Sequence, residues 1–206
     1  LGYSDSNKPT LGKILISNQN KNQKWINSVT YTPGIFVYDD NGTIDDQSDD
    51  QSRFFSTFTD NDNYGSYITP TYYYCSAQDK NGVIWVGTDE GPLLFYNPNK
   101  VFDADYTCTR VKIPRNDGTN QADYLLETDR IKAIAIDGAN RKWIGTESSG
   151  VYLMSENGQE TIKHFTSSNS PLLSDNILSI AINPISGEVF FGTDYGLISY
   201  QSDASE

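Results

Sequence analysis

Apolar and polar residues alternate along this chain in short runs, and each run ends in a polar turn. IKAIAID (131–137) and ILSIAIN (177–183) place aliphatic side chains at every second position, the period of a strand with one face buried. Each run follows a Leu-Leu pair and an acidic turn (LLETDR, LLSDN) and leads through a polar turn (DGANR, NPISG) into an aromatic segment. That segment occurs four times, as KWINS (24–28), IWVGT (84–88), KWIGT (142–146) and VFFGT (189–193). A third apolar run follows each copy: GIFVY (34–38), PLLFY (92–96), GVYLM (150–154) and GLISY (196–200). A fourth follows in three copies, as SRFFSTFT, YTCTRVKI and ETIKHFT. The pattern predicts four short antiparallel strands per unit, joined by hairpin turns such as Asn157-Gly158.

The aligned aromatics Trp25, Trp85, Trp143 and Phe190 recur at intervals of 60, 58 and 47 residues. A repeat of this length, built on four-stranded sheets, predicts an all-β fold and a β-propeller. A blade cannot bury both of its faces alone, so the repeat requires stacking on neighbours. The expected blades are roughly 10–60, 68–114, 124–167 and 171–203, the last with three strands. They make a partial ring of about four blades, a piece of a larger propeller or a half completed by self-association. Within the motif, Trp25, Trp85, Trp143 and Phe190 are expected to fill the space between blades. Gly87, Gly145 and Gly192, two residues on and on the same strand face, leave room for the adjacent sheet. The Thr that follows suits a strand and can hydrogen-bond locally. In the first copy Asn27 stands where the others have Gly, which makes its blade packing the exception.

Composition supports this reading: fourteen Tyr, nine Phe, three Trp and sixteen Gly beside a single Met favour aromatic strands and turns over helices. The formal charge of −12 repels phosphate backbones and no basic stripe offsets it, so nucleic acid is not an expected partner. No apolar run approaches the roughly 20 residues that cross a bilayer, so this segment is not expected to insert into a membrane.

Candidate chemistry is sparse. His164 is the single histidine, on an expected outer strand, and no Gly-x-Ser-x-Gly elbow accompanies it, so it reads as a surface residue rather than part of a nucleophilic relay. Acidic residues concentrate in turns and in DDNGTIDDQSDD (39–50), which reads as a solvated hairpin insert. No catalytic residue and no cofactor are expected. Asp60 and Asp62 in DNDNYG are spaced like the opening ligands of a calcium loop, but Thr71 stands where the closing Glu would be. The tyrosines of YGSYITPTYYY are the candidate ligand-binding residues, because they fall in a connection between blades and a Tyr ring stacks on a sugar or packs on a protein. Tyr64, Tyr67, Tyr72 and Tyr74 are assigned there, and Tyr73 is read as filling between blades. Cys75 and Cys108 fall on inner and outer strands of one blade, on the order of 14 Å apart at three strand spacings. That is beyond the roughly 7 Å a disulfide spans, so they are expected to stay unpaired.

DRIKAIAIDGANRKWIGTESSGVYLM and DNILSIAINPISGEVFFGTDYGLISY resemble the two-component regulator propeller repeat. The resemblance implies an exported, non-enzymatic binding or scaffolding module in the periplasm or at the surface of a Gram-negative bacterium. The segment ending GEVFFGTDYGLISY is most similar to the propeller component associated with type IX secretion. The periplasmic glycan-sensing half of a hybrid sensor histidine kinase is the alternative, and a propeller enzyme acting on polysaccharide is a third. Implied partners are carbohydrate, lipopolysaccharide or an envelope protein.

Overall fold

A computed structural model describes residues 11–29, 32–62, 65–115 and 117–205. Its regular structure is strand throughout, apart from one short 3-10 turn at Pro98–Lys100. Four strands, β1 (Leu11–Ile16), β2 (Gln23–Ser28), β3 (Gly34–Asp39) and β4 (Gln51–Phe55), form the first antiparallel sheet in chain order. A two-strand hairpin follows, β5 (Phe58–Thr59) with β6 (Tyr67–Ile68). The second sheet is β7 (Tyr73–Gln78), β8 (Ile84–Thr88) and β9 (Gly91–Phe95). After it, β10 (Lys112–Pro114) pairs with β11 (Ala122–Tyr124). The third sheet has four strands, β12 (Ile131–Ile136), β13 (Lys142–Thr146), β14 (Val151–Met154) and β15 (Thr161–Phe165). The fourth has three, β16 (Ile177–Ile182), β17 (Glu188–Thr193) and β18 (Gly196–Gln201). The chain forms two compact units, residues 1–86 with 94–109 and residues 87–93 with 110–206.

Each unit is held by the repeated aromatic. In the first, Trp25 is fully buried and meets Phe95 edge-on at 5.2 Å, while Phe55, Phe58, Tyr73 and Tyr106 extend the cluster. In the second, fully buried Trp143 lies between its own sheet and the next, 5.5 Å from Phe191, 5.8 Å from Tyr200 and 6.3 Å from Phe165. Val151, Leu153, Leu172, Ile177 and Val189 complete that core. The glycine two residues after the Trp does what its position implies. A Cβ on Gly145 would lie 2.5 Å from Ile177 Cγ2 and 2.9 Å from Ile177 Cβ, on the inner strand of the following sheet. At the matching position of the first copy, Asn27 reaches across instead, its Nδ2 donating to the Cys75 carbonyl of β7 at 3.4 Å.

The hydroxyl that ends the motif clamps the next hairpin. Thr88 donates to the Gly91 carbonyl (2.6 Å) and accepts the Glu90 N–H (3.0 Å); Thr146 donates to Gly150 (3.0 Å) and accepts from Ser149 (2.8 Å). Thr193 repeats the pair with Gly196 (2.9 Å) and Tyr195 (3.2 Å). Gly150 closes its hairpin at φ 75°, a left-handed backbone that favours glycine. A second device closes the turn between the first two strands of each sheet. Asp79 Oδ1 accepts from the Asn81 and Val83 amides and Oδ2 from the Trp85 indole at 3.0 Å; Asp137, Asn183 and Ser17 cap the corresponding turns.

Four expectations need correction. YTCTRVKI does not form a fourth strand of the second sheet: only Thr109 bridges to Leu94, and Lys112–Pro114 turns away to pair with β11. The chain there leaves β9 through left-handed Asn97 into the 3-10 turn, and Cys108 and Val111 point inward to be buried. SRFFSTFT is two strands, because the chain leaves the first sheet after Phe55 and pairs again only at Phe58–Thr59 with β6. Phe190 fills no core among the described residues. It pairs with Ala181 as Trp143 pairs with Ala135, but no sheet covers that face among the described residues, so it is half-exposed while Val189 and Phe191 beside it are buried. The insert 39–50 is solvated only from residue 41 to 48, since Asp39 is buried and accepts from Asn20 Nδ2 at 2.7 Å. Cys75 and Cys108 are buried thiols.

Candidate ligand-binding face

In a sheet of four antiparallel strands, the hairpin between strands two and three and the connection leading into strand one emerge at the same end. This places chemically varied loops together on a rigid support. In the second unit that end gathers three segments. Glu147 N–H donates to the Arg130 carbonyl and Gly150 N–H to the Asp175 carbonyl, both at 3.0 Å, which ties the β13–β14 hairpin to the segments leading into β12 and β16. Asp175 in turn accepts from the Ser167 amide (2.7 Å) and hydroxyl (3.2 Å). Arg130 pairs with Glu147 at 2.8 Å on the exposed rim.

Beside these loops lie Asp129, Ser149, Tyr152 and His164. The imidazole of His164 is exposed and stacks flat on Tyr152, with centroids 3.9 Å apart and planes 9° from parallel. Its Nε2 lies 2.7 Å from the Ser149 carbonyl, an oxygen that can only accept, so Nε2 carries the hydrogen. The Ser149 hydroxyl donates directly to the Asp129 carboxylate. Ser, His and Asp thus come together wired differently from a nucleophilic relay: the imidazole bonds to the serine's backbone and the hydroxyl's hydrogen is directed to a carboxylate. Burial, helped by the negative charge of Asp129, pushes the Tyr152 phenol up, so it stays a neutral donor at physiological pH. The arrangement suits hydrogen bonding to a polar ligand. The sequence placed His164 at the surface, where it is, and missed Asp129, Ser149 and Tyr152. The signals that could have found them are the acidic turn of LLETDR and the ESSG hairpin behind the Gly-Thr pair.

In the first unit, the corresponding connection holds the tyrosines read from the sequence. Tyr72 is 36% exposed and stacks on Tyr74 at 5.6 Å with planes 16° apart. Tyr67, on β6, is 68% exposed. Tyr73 points to the opposite strand face, fully buried, and its hydroxyl donates to the Ser56 carbonyl at 3.1 Å. Tyr64 lies outside the described residues. Asp60 is buried, and its Oδ1 accepts the Asp62 amide at 3.0 Å. This is the bond of an Asx turn. Among the described residues no group of three or more His, Cys, Asp or Glu side chains is placed to hold a metal ion.

The two-component regulator propeller model matches residues 67–90, which run from β6 through the Tyr-rich connection, β7 and β8 to the first hairpin clamp. The match covers one copy of the repeat, which is similar to that of the two-component regulator propellers. The propeller is similar, at 30% identity and a TM-score of 0.85, to PorZ of Porphyromonas gingivalis, described as an essential bacterial surface component of the type IX secretion system. The match covers 96% of this chain and 26% of that one, so the chain spans about a quarter of its relative's length. It is also similar to the extracellular domain of the putative hybrid two-component system BT3049 of B. thetaiotaomicron, at 19% identity and a TM-score of 0.51, covering 100% of this chain and 29% of that one. That second likeness shows the fold. No curated protein matches the chain significantly. Among the described residues, no helix of the propeller is long and apolar enough to cross a membrane.

Proposed function

We propose that this propeller is a non-enzymatic binding and scaffolding module of a bacterial envelope protein, exported to the periplasm or cell surface, with a role like that of the type IX secretion-associated propeller. The observation that carries this reading is the similarity to PorZ over 96% of the chain. The site supports binding over catalysis, since its hydroxyl, imidazole and carboxylate are wired into one another as described above. The ligand favoured is carbohydrate of the envelope, contacted by the exposed faces of Tyr67 and the stacked Tyr72 and Tyr74. A chain of net charge −12 repels the phosphates of lipopolysaccharide, so contact falls on sugar rather than phosphate and strengthens as salt screens the repulsion.

The test is the response of the immobilised chain to purified lipopolysaccharide, measured at low and high salt. The combined substitution Tyr67→Ala, Tyr72→Ala and Tyr74→Ala is expected to lower affinity at least about tenfold, as losing two or three stacking contacts would. An unchanged affinity removes the tyrosines from the site. Retention of detergent-solubilised outer-membrane proteins without any lipopolysaccharide response puts a protein partner in place of the sugar.

A further inference from the structure

The segment that follows β9 departs from the repeat, and it is fixed in place rather than slack. Leu94 and Thr109 exchange both of their backbone hydrogen bonds at 2.9 Å, which closes residues 95–108 into a loop with adjoining ends. Compact surface loops of this kind frequently carry function. Val101 and Cys108 anchor it from inside, both buried, and the Tyr106 ring stacks on Phe95 at 6.3 Å. The first sheet holds it from beside. Arg53 donates to the carbonyls of Val101 (2.9 Å), Asp103 and Ala104 (3.4 Å), and Gln23 Nε2 to that of Pro98 (3.1 Å). Thr107 Oγ1 donates to the Thr59 carbonyl (3.1 Å), and the Tyr106 hydroxyl to the Tyr96 carbonyl (2.9 Å). A loop whose shape is set before any ligand arrives loses little freedom on binding, which is what a preorganised site requires.

The outer side of this loop is a concavity of about 240 Å³, where the Tyr96 ring, 50% exposed, lies beside Lys100, Asp103, Asp105 and Thr107. All of them belong to the first unit. Partial burial, and then the charge of Asp79, push the Tyr96 phenol above its usual value, so its hydroxyl keeps its proton at physiological pH. The chemistry narrows the ligand. An anion would meet two carboxylates on a chain of net charge −12. A wholly apolar group would strip water from three charges. Among the described residues, no third His, Cys, Asp or Glu joins the two aspartates to hold a metal ion. A hydroxyl both donates and accepts, so neighbouring hydroxyls satisfy carboxylate and ammonium together while ring carbons lie on the Tyr face. The volume is below the roughly 300 Å³ at which pockets for drug-sized ligands begin, which suits one ring rather than several. We propose that residues 96–107 form a saccharide subsite that seats one neutral sugar unit, its ring face on Tyr96 and its hydroxyls on Asp103, Asp105 and Lys100. This rests on the reading of the propeller as a carbohydrate binder and adds a second contact to that of Tyr67, Tyr72 and Tyr74.

Two-dimensional NMR of the isotope-labelled chain tests this, with glucose, galactose, mannose and N-acetylglucosamine titrated to about 50 mM, a range that reaches weak affinities. Galacturonate and calcium are titrated separately. At least one neutral sugar is expected to shift the amide signals of residues 96–107, and galacturonate to shift them less. Tyr96→Ala, at a half-exposed position, is expected to weaken that binding about tenfold. Asp103→Asn combined with Asp105→Asn is expected to weaken the neutral sugar and to admit galacturonate, because Lys100 then stands without opposing carboxylates. No shift at 96–107 with any of the sugars, in a chain that still responds to lipopolysaccharide, would overturn the subsite and leave the proposed function standing; a chain that responds to neither loses both. Shifts there with calcium and none with sugar would overturn the subsite in favour of a cation. Sugar shifts at 96–107 that persist in the combined Tyr67→Ala, Tyr72→Ala and Tyr74→Ala variant would uphold the subsite and remove those tyrosines instead.

Discussion

Gly145→Ala tests the reason for the glycine in the repeat more directly than any other substitution. The added Cβ would sit 2.5 Å from Ile177 Cγ2 and 2.9 Å from Ile177 Cβ, with Ile180 Cδ1 at 3.2 Å. Ile177 is fully buried, and its branched Cβ is fixed to the β16 backbone, so relief requires one sheet to move against the other by several tenths of an ångström. Overpacking of this kind costs about 1–3 kcal/mol. Gly192→Ala at the same motif position is the control. Its nearest neighbour, Ser179 Oγ at 2.5 Å, is the end of a small rotatable side chain, and the next atom is at 3.8 Å. Neither glycine requires a left-handed backbone, so alanine at 192 is expected to be neutral or stabilising by up to about 1 kcal/mol through reduced freedom of the unfolded chain. Urea denaturation followed by tryptophan fluorescence should lower the midpoint of the Gly145→Ala protein by about 1 M, given slopes of about 1–3 kcal/mol/M, and leave the Gly192→Ala midpoint unchanged or raised. Equal midpoints for the two variants would refute the claim that the motif glycine serves the neighbouring sheet.

Thr146→Val keeps the shape of a fully buried side chain but leaves the Gly150 carbonyl and the Ser149 amide without their hydroxyl partner; a loss of about 2–3 kcal/mol in thermal denaturation is expected, with Thr146→Ser close to wild type. Asp79→Ala removes acceptors from two turn amides and from the Trp85 indole, and should destabilise by about 2–4 kcal/mol and shift the Trp85 emission. Arg141 hydrogen-bonds Asp203 and holds its carboxyl below the usual value of 3.8. A carboxyl lowered in the folded state contributes its stabilisation fully above the unfolded value and loses it as pH falls through the folded one. Proteolytic cleavage near residues 202–205 is therefore expected to rise below about pH 4 in the wild type, whereas Asp203→Asn should show the faster cleavage already at neutral pH.

Much of the second unit was legible because its two copies are regular: alternation in IKAIAID and ILSIAIN defines the inner strands, and KWIGT and VFFGT the strands beside them. The irregular copies were not. YTCTRVKI alternates well enough to read as an outer strand, yet only Thr109 bridges to Leu94, and its buried residues Cys108 and Val111 lie outside any strand. Asn27 stood out as the exception to the motif, and it is a bridge to Cys75. Tyr67, Tyr72 and Tyr74 could be picked out by type, while Asp129, Ser149, Tyr152 and His164 are separated by up to 35 positions in the sequence and meet only through the pairing of β14 with β15 and the clamp at Thr146.

By itself, the order of residues determined the strands, their turns and the repeat, because a period of two and a glycine after an aromatic act through neighbours close along the chain. Tertiary structure decided which aromatic is buried and which is open. Trp143 and Phe190 occupy equivalent strand positions, and only the sheet stacked on the first removes it from water. Burial depends on what lies across an interface, and a local pattern repeats identically whether or not that partner is there.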